Sequence, residues 1–134
     1  MDDPLSRVAA ARVARLATVD ERGQPHIVPI VFTVHDGRIV TAVDHKPKRT
    51  VDLKRLRNIA TNQRVSVLVD HYDDDWSHLW WVRVDGRAEV VTTGPQFEGA
   101  IAALVEKYSQ YREHAPDGPL VVVTAEGVRA WEAG

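Results

Sequence analysis

The segment PHIVPIVFTVHDGRIVTAV, residues 25–43, decides the predicted fold. Residues 25–34 are rich in β-branched side chains and predict a strand, and His35-Asp36-Gly37 predicts a hairpin turn before a second strand over residues 38–43. Pro29 lies inside the first strand, where it cannot donate a ladder hydrogen bond. We therefore expect Pro29 to mark an edge strand, a bulge or a kink that faces a ligand.

The flanking segments extend this pattern in both directions. Further strands are predicted over residues 15–19, 64–72, 79–91, 120–124 and 128–131, and helices over residues 4–14, 51–61 and 96–114. A turn at Glu126-Gly127 is expected to separate the last two strands. Tight turns join the first strands, and helices do not alternate with strands as they do in βαβ units. The pattern predicts one antiparallel, barrel-like α+β domain over residues 1–134.

The composition excludes several classes of protein. Of the 134 residues, 44% are hydrophobic and 27% are charged, as in soluble globular domains and unlike disordered chains. The absence of cysteine excludes disulfides, thiol catalysis, iron–sulfur clusters and cysteine-based zinc sites. No apolar run approaches the roughly 20 residues that span a bilayer, and residues 1–4 lack the features of a secretory signal. We therefore expect a cytoplasmic protein without a membrane partner.

The net charge of −2 conceals two compact charged segments. Six of the 17 basic residues lie within residues 46–57, and four aspartates lie within residues 70–75. The first of these segments begins with Lys46-Pro47-Lys48-Arg49-Thr50, called the basic loop below, which directly precedes a predicted helix. Free N–H groups and the dipole at a helix N-terminus favour an anion, so the loop predicts a phosphate site that Lys54 or Arg55 could also reach. The alternative is a solvated helix face without a ligand.

Three tryptophans lie within residues 76–81. Trp80 and Trp81 are neighbours in a predicted strand, so their side chains point to opposite faces of the sheet. One ring can enter the barrel, and the other must face a partner, a ligand or solvent. The alternative is that both rings pack in the core or in an interface without a ligand.

The sequence lacks the usual motifs of covalent catalysis and nucleotide binding. It contains no G-x-S-x-G, no G-x-x-x-x-G-K and no G-x-G-x-x-G, and none of its six histidines has the spacing of a metal-binding pair. No catalytic side chain and no metal site are therefore predicted. The overall charge and the acidic neighbours of the basic loop also argue against binding of nucleic acid.

Several segments, taken together, resemble the pyridoxamine 5′-phosphate oxidase-like split β-barrel superfamily. They are the strand at 25–34 with its hairpin, the strand at 39–43, the basic loop, the helix at 53–62 and the segment WVRVDGRA at 81–88. Within that superfamily, TAVDHKPKRT at 41–50 and VDHYDDDWSHLWWV at 69–82 look like a group of actinobacterial oxidoreductases that use the deazaflavin coenzyme F420. The resemblance covers about residues 5–132. It implies an antiparallel split β-barrel of the FMN-binding type, α+β but mainly β, with about three flanking helices.

The resemblance implies a homodimer with one cofactor in each groove at the interface. Reduced F420 would transfer a hydride to a small electron-poor substrate such as an enone, a quinone or a tetrapyrrole-like molecule. The cofactor ring would lie against the backbone of Ile30, Val31 and Phe32, and Thr41 and Ala42 would contact the ring or the ribityl chain. The phosphate would be held by Lys46, Lys48, Arg49 and Thr50, which Arg55 could join. Trp80 or Trp81 would form a wall of the ring site, which the second subunit could supply.

Two departures from the family pattern narrow the expected activity. FMN-binding pyridoxamine oxidases carry glutamine at the position that aligns with Trp81, which argues against FMN. Their substrate-binding arginine and histidine near the C-terminus are not matched by Arg129-Ala130-Trp131, so oxidation of vitamin B6 is not expected. The alternatives are an FMN-dependent flavoprotein, or a non-catalytic heme- or cofactor-binding module in which His26, His45 or His71 would be tested as heme ligands.

Overall fold

Seven antiparallel strands form one curled sheet that is flanked by helices. The computed structural model describes residues 3–43 and 54–134. Within them the strands are β1 (Ala14–Val19), β2 (Pro25–Ile30), β3 (Thr33–His35), β4 (Arg38–Ala42), β5 (Arg64–His71), β6 (Trp80–Val91) and β7 (Leu120–Glu132). The helices are α1 (Pro4–Ala10), α2 (Lys54–Thr61), α3 (Pro95–Lys107) and α4 (Ser109–Glu113), and Trp76–His78 forms a 3-10 turn.

The sheet order is β2-β1-β5-β6-β7-β4-β3, and this curled sheet confirms the predicted antiparallel, barrel-like α+β fold. Its inner face carries the core, because Leu16, Val67 and Val84 align in one row of the register and are fully buried. A second cluster forms where Leu104 of α3 packs near Leu120 of β7. The described chain has four α-helices where about three were expected, since the helix predicted over residues 96–114 is divided.

The predicted strand at residues 25–34 is two strands on opposite edges of the sheet. β2 pairs with β1, β3 pairs with β4, and residues 31–32 connect them outside any strand. Pro29 therefore lies in an edge strand, one of its three expected positions. The His35-Asp36-Gly37 hairpin is confirmed, and the left-handed φ angles of Asp36 (52°) and Gly37 (73°) suit a tight turn.

The predicted turn at Glu126-Gly127 is wrong, because β7 continues through it as one strand paired with β6. The register shifts by one residue between Asp85 and Gly86, as in a β-bulge. Gly86 permits this close approach, since a Cβ there would lie 2.2 Å from the backbone oxygen of Thr124. Glycine in this segment thus allows one strand to bend rather than to end.

Other bounds differ by smaller amounts. Helix α1 ends at Ala10 rather than at residue 14, and the predicted start of the second helix at residue 51 lies outside the described residues. The helix predicted over 96–114 breaks at Tyr108, whose backbone is extended at φ −118° and ψ 120°. No helix among the described residues has both the length and the apolarity required to cross a membrane.

Tyr108 explains both the broken helix and the gap between β2 and β3. Its buried hydroxyl accepts a hydrogen bond from the Phe32 N–H at 3.0 Å and lies 2.8 Å from the Phe32 carbonyl and 3.0 Å from the Arg12 carbonyl. One hydroxyl thus replaces the strand partners that Phe32 lacks. Unpaired backbone groups in the core would otherwise destabilise the fold.

Tyr108→Phe is expected to lower the free energy of unfolding by about 2–4 kcal/mol, because each buried group left unpaired costs roughly 1–3 kcal/mol. Urea denaturation measures the change. Tyr72→Phe is the matched control, since Tyr72 is 63% exposed and should unfold like the native chain. A loss under 0.5 kcal/mol for Tyr108→Phe, on the order of a neutral surface change, would contradict this role.

Candidate functional site

The candidate site lies on the outer face of the sheet, the face opposite the core. Side chains alternate between the faces of a strand, so Leu68 points outward between the buried Val67 and Val69. The register aligns Leu68 with Arg15 of β1 and with Arg83 of β6. The outer face therefore carries a row with an arginine on each side of Leu68.

The next row of the outer face is aromatic. Trp81 of β6 pairs with Asp70 of β5 and with Trp131 of β7. Trp131 is 43% exposed, although large apolar rings are normally covered. A cationic row and an aromatic row thus lie side by side on one surface.

Trp80 and Trp81 point to opposite faces, as predicted. Trp80 packs against the core cluster, and the Arg7 guanidinium lies 4.6 Å from its ring centroid. Arg7 is held there by Glu132, with Nη2 and Oε1 2.5 Å apart. Trp81 is half-buried and lines an open groove instead. Of the two rings, Trp81 is therefore the one that an outer-face ligand could contact.

A groove of about 410 Å³ follows these two rows and is called the outer groove. It is lined by Leu68, Asp70, Tyr72, Trp81 and Arg83. The lining offers two aromatic rings for stacking, one carboxylate and one guanidinium. Leu68, Tyr72 and Arg83 were not predicted as site residues. Leu68 lies on β5, Arg83 on β6 and Tyr72 directly after β5, and their alternate positions could have indicated a shared face.

A second groove of about 740 Å³, called the arginine groove, shares Asp70 and Tyr72 with the outer groove. Its lining also includes Arg12, Arg15 and His71. Arg12 donates a hydrogen bond to the Lys107 carbonyl at 2.9 Å. Arg15 is exposed and makes no hydrogen bond or ion pair within the described part of the chain. The two grooves thus form a continuous surface with a positively charged side.

Asp85 holds Arg83 beside the outer groove. The Ser66 hydroxyl donates to Asp85 at 2.6 Å, and Arg83 Nε donates to the same carboxylate at 3.0 Å. The Ser66 hydrogen bond, then Arg83 and Arg129, keep the pKa of Asp85 below its ordinary value. Asp85 therefore remains ionised at neutral pH and fixes the direction of Arg83.

Most of the predicted residues around the end of β2 and in β4 lie in the protein interior. Ile30, Phe32, Thr41 and Ala42 are all buried, whereas Val31 is partly exposed. The Thr41 hydroxyl donates to the Val31 carbonyl at 2.7 Å, which brings those two predicted residues together. Their polar groups, like those of Phe32, are bonded within the chain.

The register does not bring these residues to the tryptophans. Thr41 pairs with Val121 near the start of β7, whereas Trp81 pairs with Trp131 near its end. The predicted ring site is thus divided within one chain.

The predicted phosphate residues Lys46, Lys48, Arg49 and Thr50 lie outside the described residues. The helix that follows them is well anchored, since the buried Asn58 Nδ2 donates to Thr18 Oγ1 of β1 at 2.9 Å. At the first described turn of α2, Lys54 Nζ lies 3.6 Å from an Asp20 carboxylate oxygen, and Arg55 is partly buried. The described part of helix α2, Lys54–Thr61, is therefore fixed on the sheet.

Lys107, which was not predicted as a site residue, lies behind residues 31–32. Its Nζ donates to the carbonyls of Ala11 at 2.7 Å and Ala9 at 3.2 Å and lies 4.2 Å from the Phe32 ring centroid. Partial burial, and secondarily the charge of Arg12, lower the pKa of Lys107 from 10.5 to about 8. The ammonium thus ties the end of α1 to the segment that supports Val31.

Raising the pH from 8 to 10 is expected to stabilise the folded chain. Unfolded Lys107 keeps its proton up to an ordinary pKa of 10.5, whereas folded Lys107 loses it near pH 8. Between these values the unfolded state binds more protons, so the free energy of unfolding rises with pH. The raised pKa of the buried Tyr108 phenol acts in the opposite direction, but only near pH 10, where the unfolded phenol begins to lose its proton.

Urea midpoints at pH 8 and pH 10 measure this rise. Lys107→Met should reduce it, and Lys54→Met, which changes a lysine that is only partly covered, should retain it. Equal rises in Lys107→Met and in the native chain would show that Lys107 is not the titrating group.

Comparison with known proteins identifies the family. A profile described as pyridoxamine 5′-phosphate oxidase matches residues 5–132. The chain belongs to the pyridoxamine 5′-phosphate oxidase family. The match includes the whole sheet, both grooves and every predicted cofactor residue.

One curated relative in this family comparison is a reductase. It is the 5a,11a-dehydrotetracycline/5a,11a-dehydrooxytetracycline reductase of Streptomyces rimosus, 30% identical over 91 residues. The aligned stretch covers 67% of this chain and 63% of the relative. The chain therefore matches less than two thirds of that protein.

Solved structures share the fold. A heme binding protein from Mycobacterium smegmatis has a TM-score of 0.76 at 22% identity, and the alignment covers 94% of this chain and 51% of the chain of that protein. An FAD-binding protein from Mesorhizobium loti has a TM-score of 0.71 at 24% identity, and the alignment covers 94% of this chain and 89% of the chain of that protein. These likenesses confirm the split-barrel architecture, and at such identities they carry no information on the ligand of this family member.

Proposed function

We propose that this protein is an oxidoreductase that uses reduced F420 to transfer a hydride to a small electron-poor organic substrate. The observation that carries the proposal is the position of Trp81, which faces the open outer groove. Trp81 stands where the resemblance places glutamine in FMN-binding pyridoxamine oxidases. A family relative that is a reductase supports the same class of reaction.

The described residues fit a planar cofactor with a phosphate-bearing chain. Trp81 provides an aromatic wall for the ring. The described part of helix α2 begins at Lys54 and follows the basic loop in the sequence. The basic loop and Arg55 would hold the phosphate, because guanidinium and ammonium groups make the strong charge-assisted hydrogen bonds that phosphates accept. Val31 and Thr41 of a second subunit would support the ring from the other side of the groove.

The chain's own contribution is binding, orientation and exclusion of water. Reduced F420, when bound, supplies the hydride, and a proton completes the reduction of the substrate. The buried hydrogen bonds of Thr41 and Tyr108 fix residues 31–32, so the wall beside the ring is rigid. A fixed, partly apolar groove would hold the hydride-donating carbon of the cofactor beside the accepting carbon of the substrate, and this orientation raises the rate. No side-chain nucleophile is required.

A homodimer is part of the proposal. Residues 124–132 of β7 are exposed on both faces, and β4 pairs with β7 only as far as Val123. In the described residues, the far edge of this segment has no strand partner, and exposed strand edges are normally covered. A second copy that covers this segment would bring its own basic loop and residues 31–42 towards Trp81.

Two alternatives use the same grooves. An FMN-dependent flavoprotein would place FMN against Trp81, and its purified form would be yellow. A heme-binding module is favoured by His71, which lines the arginine groove and lies 3.0 Å from an Asp73 carboxylate oxygen. Of the other candidate ligands, His26 has a buried Nδ1 without a partner in the described chain, and His45 lies outside the described residues.

An anaerobic assay with an acceptor tests the proposed reaction. Reduced F420 and reduced FMN are each mixed with the protein and menadione, a quinone, and the return of the oxidised cofactor is followed by its absorbance. The expected result is protein-dependent oxidation of reduced F420. If the protein accelerates the oxidation of reduced FMN but not that of reduced F420, the flavoprotein is favoured. If it accelerates neither oxidation and shows a Soret band after addition of hemin, the heme module is favoured.

A further inference from the structure

The outer groove and the arginine groove combine stacking surfaces with excess positive charge. Tyr72 and Trp81 line the same groove, and Tyr72 is 63% exposed. Such rings offer flat apolar faces to a planar partner. The aromatic part of the surface therefore suits a fused-ring ligand rather than a flexible chain.

Two arginines flank this aromatic surface. Arg15 and Arg83 lie on either side of Leu68 in one row of the sheet. Strands are spaced about 4.8 Å apart, so the two Cα atoms are roughly 10 Å apart and the long side chains can reach one anion. Asp70 lines both grooves, and Asp85 is paired with Arg83. The arginine groove is lined by three arginines and one carboxylate, so positive charge exceeds negative charge there.

The two arginines differ in how much of their hydrogen-bonding capacity is used. Arg83 donates through Nε to Asp85 at 3.0 and 3.2 Å, and within residues 3–43 and 54–134 its Nη groups have no partner. Arg15 has no ion pair or hydrogen bond in the same residues. An unpaired guanidinium beside apolar rings is a site at which an anionic oxygen gains a bidentate partner.

We infer that these grooves bind a planar aromatic anion, namely a fused-ring molecule that carries a carboxylate, phenolate or enolate oxygen. The ring system stacks on Tyr72 and lies beside Trp81, and the anionic oxygen binds Arg15 and Arg83. The inference rests on the proposed function in one respect, since this anion would be the substrate of the proposed reduction. Binding of the anion itself requires no cofactor.

Quenching of tryptophan fluorescence by 2-naphthoate and by its neutral analogue 2-naphthamide tests the inference on the full chain. We expect 2-naphthoate to bind at least tenfold more tightly, because a charge-assisted hydrogen bond contributes more than a neutral one. Arg15→Gln should weaken binding of 2-naphthoate at least fivefold and leave 2-naphthamide unchanged. Trp81→Leu should weaken both probes, and Arg22→Gln, which removes an exposed arginine of the β1–β2 turn, should weaken neither.

Arg15→Gln is the decisive variant because Arg15 has no bond in the described fold to lose, whereas Arg83→Gln also breaks the pair with Asp85. Equal affinity for the two probes, or unchanged binding of 2-naphthoate in Arg15→Gln, would overturn the inference. Titration of the same proteins with F420 separates the two proposals. Selective binding of 2-naphthoate without binding of F420 would leave the anion site standing and reject the proposed function.

Discussion

Replacing Lys48 and Arg49 together with alanine should weaken binding of F420 at least tenfold and leave the fold intact. Each charged hydrogen bond lost is worth roughly 1.5–3 kcal/mol, and about 1.4 kcal/mol corresponds to a factor of ten. Two lost contacts to one phosphate would therefore exceed tenfold even if water replaced part of each. Fluorescence titration with F420 measures the affinity, and circular dichroism verifies the fold.

The matched control is the double variant Arg38→Ala/Arg64→Ala. It removes the same two charges from exposed positions at the starts of β4 and β5. We expect this control to bind F420 within twofold of the native chain, because exposed charges away from a ligand act mainly through a screened field. Unchanged affinity in Lys48→Ala/Arg49→Ala would reject the basic loop as the phosphate site. An equal loss of affinity in both double variants would show that the net charge of the protein, and not contact with the basic loop, affects F420 binding.

Gly86→Ala should destabilise the fold by about 3 kcal/mol or more, which is large for a single added methyl group. The new Cβ would lie 2.2 Å from the Thr124 backbone oxygen and 3.2 Å from the Ala125 Cα. Both atoms belong to the backbone of β7, so relief requires the two longest strands to separate at the bulge. Urea denaturation, with soluble yield as a second readout, measures the effect.

Gly127→Ala is the control from the same region of the sheet. A Cβ at Gly127 would meet no atom within 4 Å, and Gly127 pairs directly with Asp85 beside the bulge. Its expected change in stability is within about 0.5 kcal/mol, as for other surface substitutions. Similar losses in the two variants would mean that strand propensity, and not the close approach at Gly86, sets the cost.

The architecture could be predicted because local patterns determine most of it. Alternating apolar residues located β5 and β6, and the His35-Asp36-Gly37 turn located the β3–β4 hairpin. The opposite directions of Trp80 and Trp81 followed from the two-residue period of a strand. These features depend only on neighbours in the sequence, so the chain itself specifies them.

The errors arose where distant residues decide the structure. The gap between β2 and β3 depends on Tyr108, whose hydroxyl reaches Phe32 from 76 residues along the chain. The continuous β7 depends on its long pairing with β6, which overrides the turn tendency of Glu126-Gly127. Neither partner is visible in a local pattern.

The candidate site was accessible to sequence reasoning only in part. Trp80 and Trp81 were noticed as a pair of which only one ring could enter the core, and the basic loop was noticed by its charge. Arg15 and Tyr72 were not recognised as site residues, because their place beside Trp81 depends on the register of three strands. Recognition of that row required the structure.

The most direct test of the account is a side-by-side titration of the purified protein with F420 and with FMN, followed by tryptophan fluorescence. We expect F420 to bind at least tenfold more tightly than FMN and Trp81→Leu to remove most of the quenching. Tighter binding of FMN, or F420 binding that leaves the fluorescence of Trp81 unchanged, would contradict it.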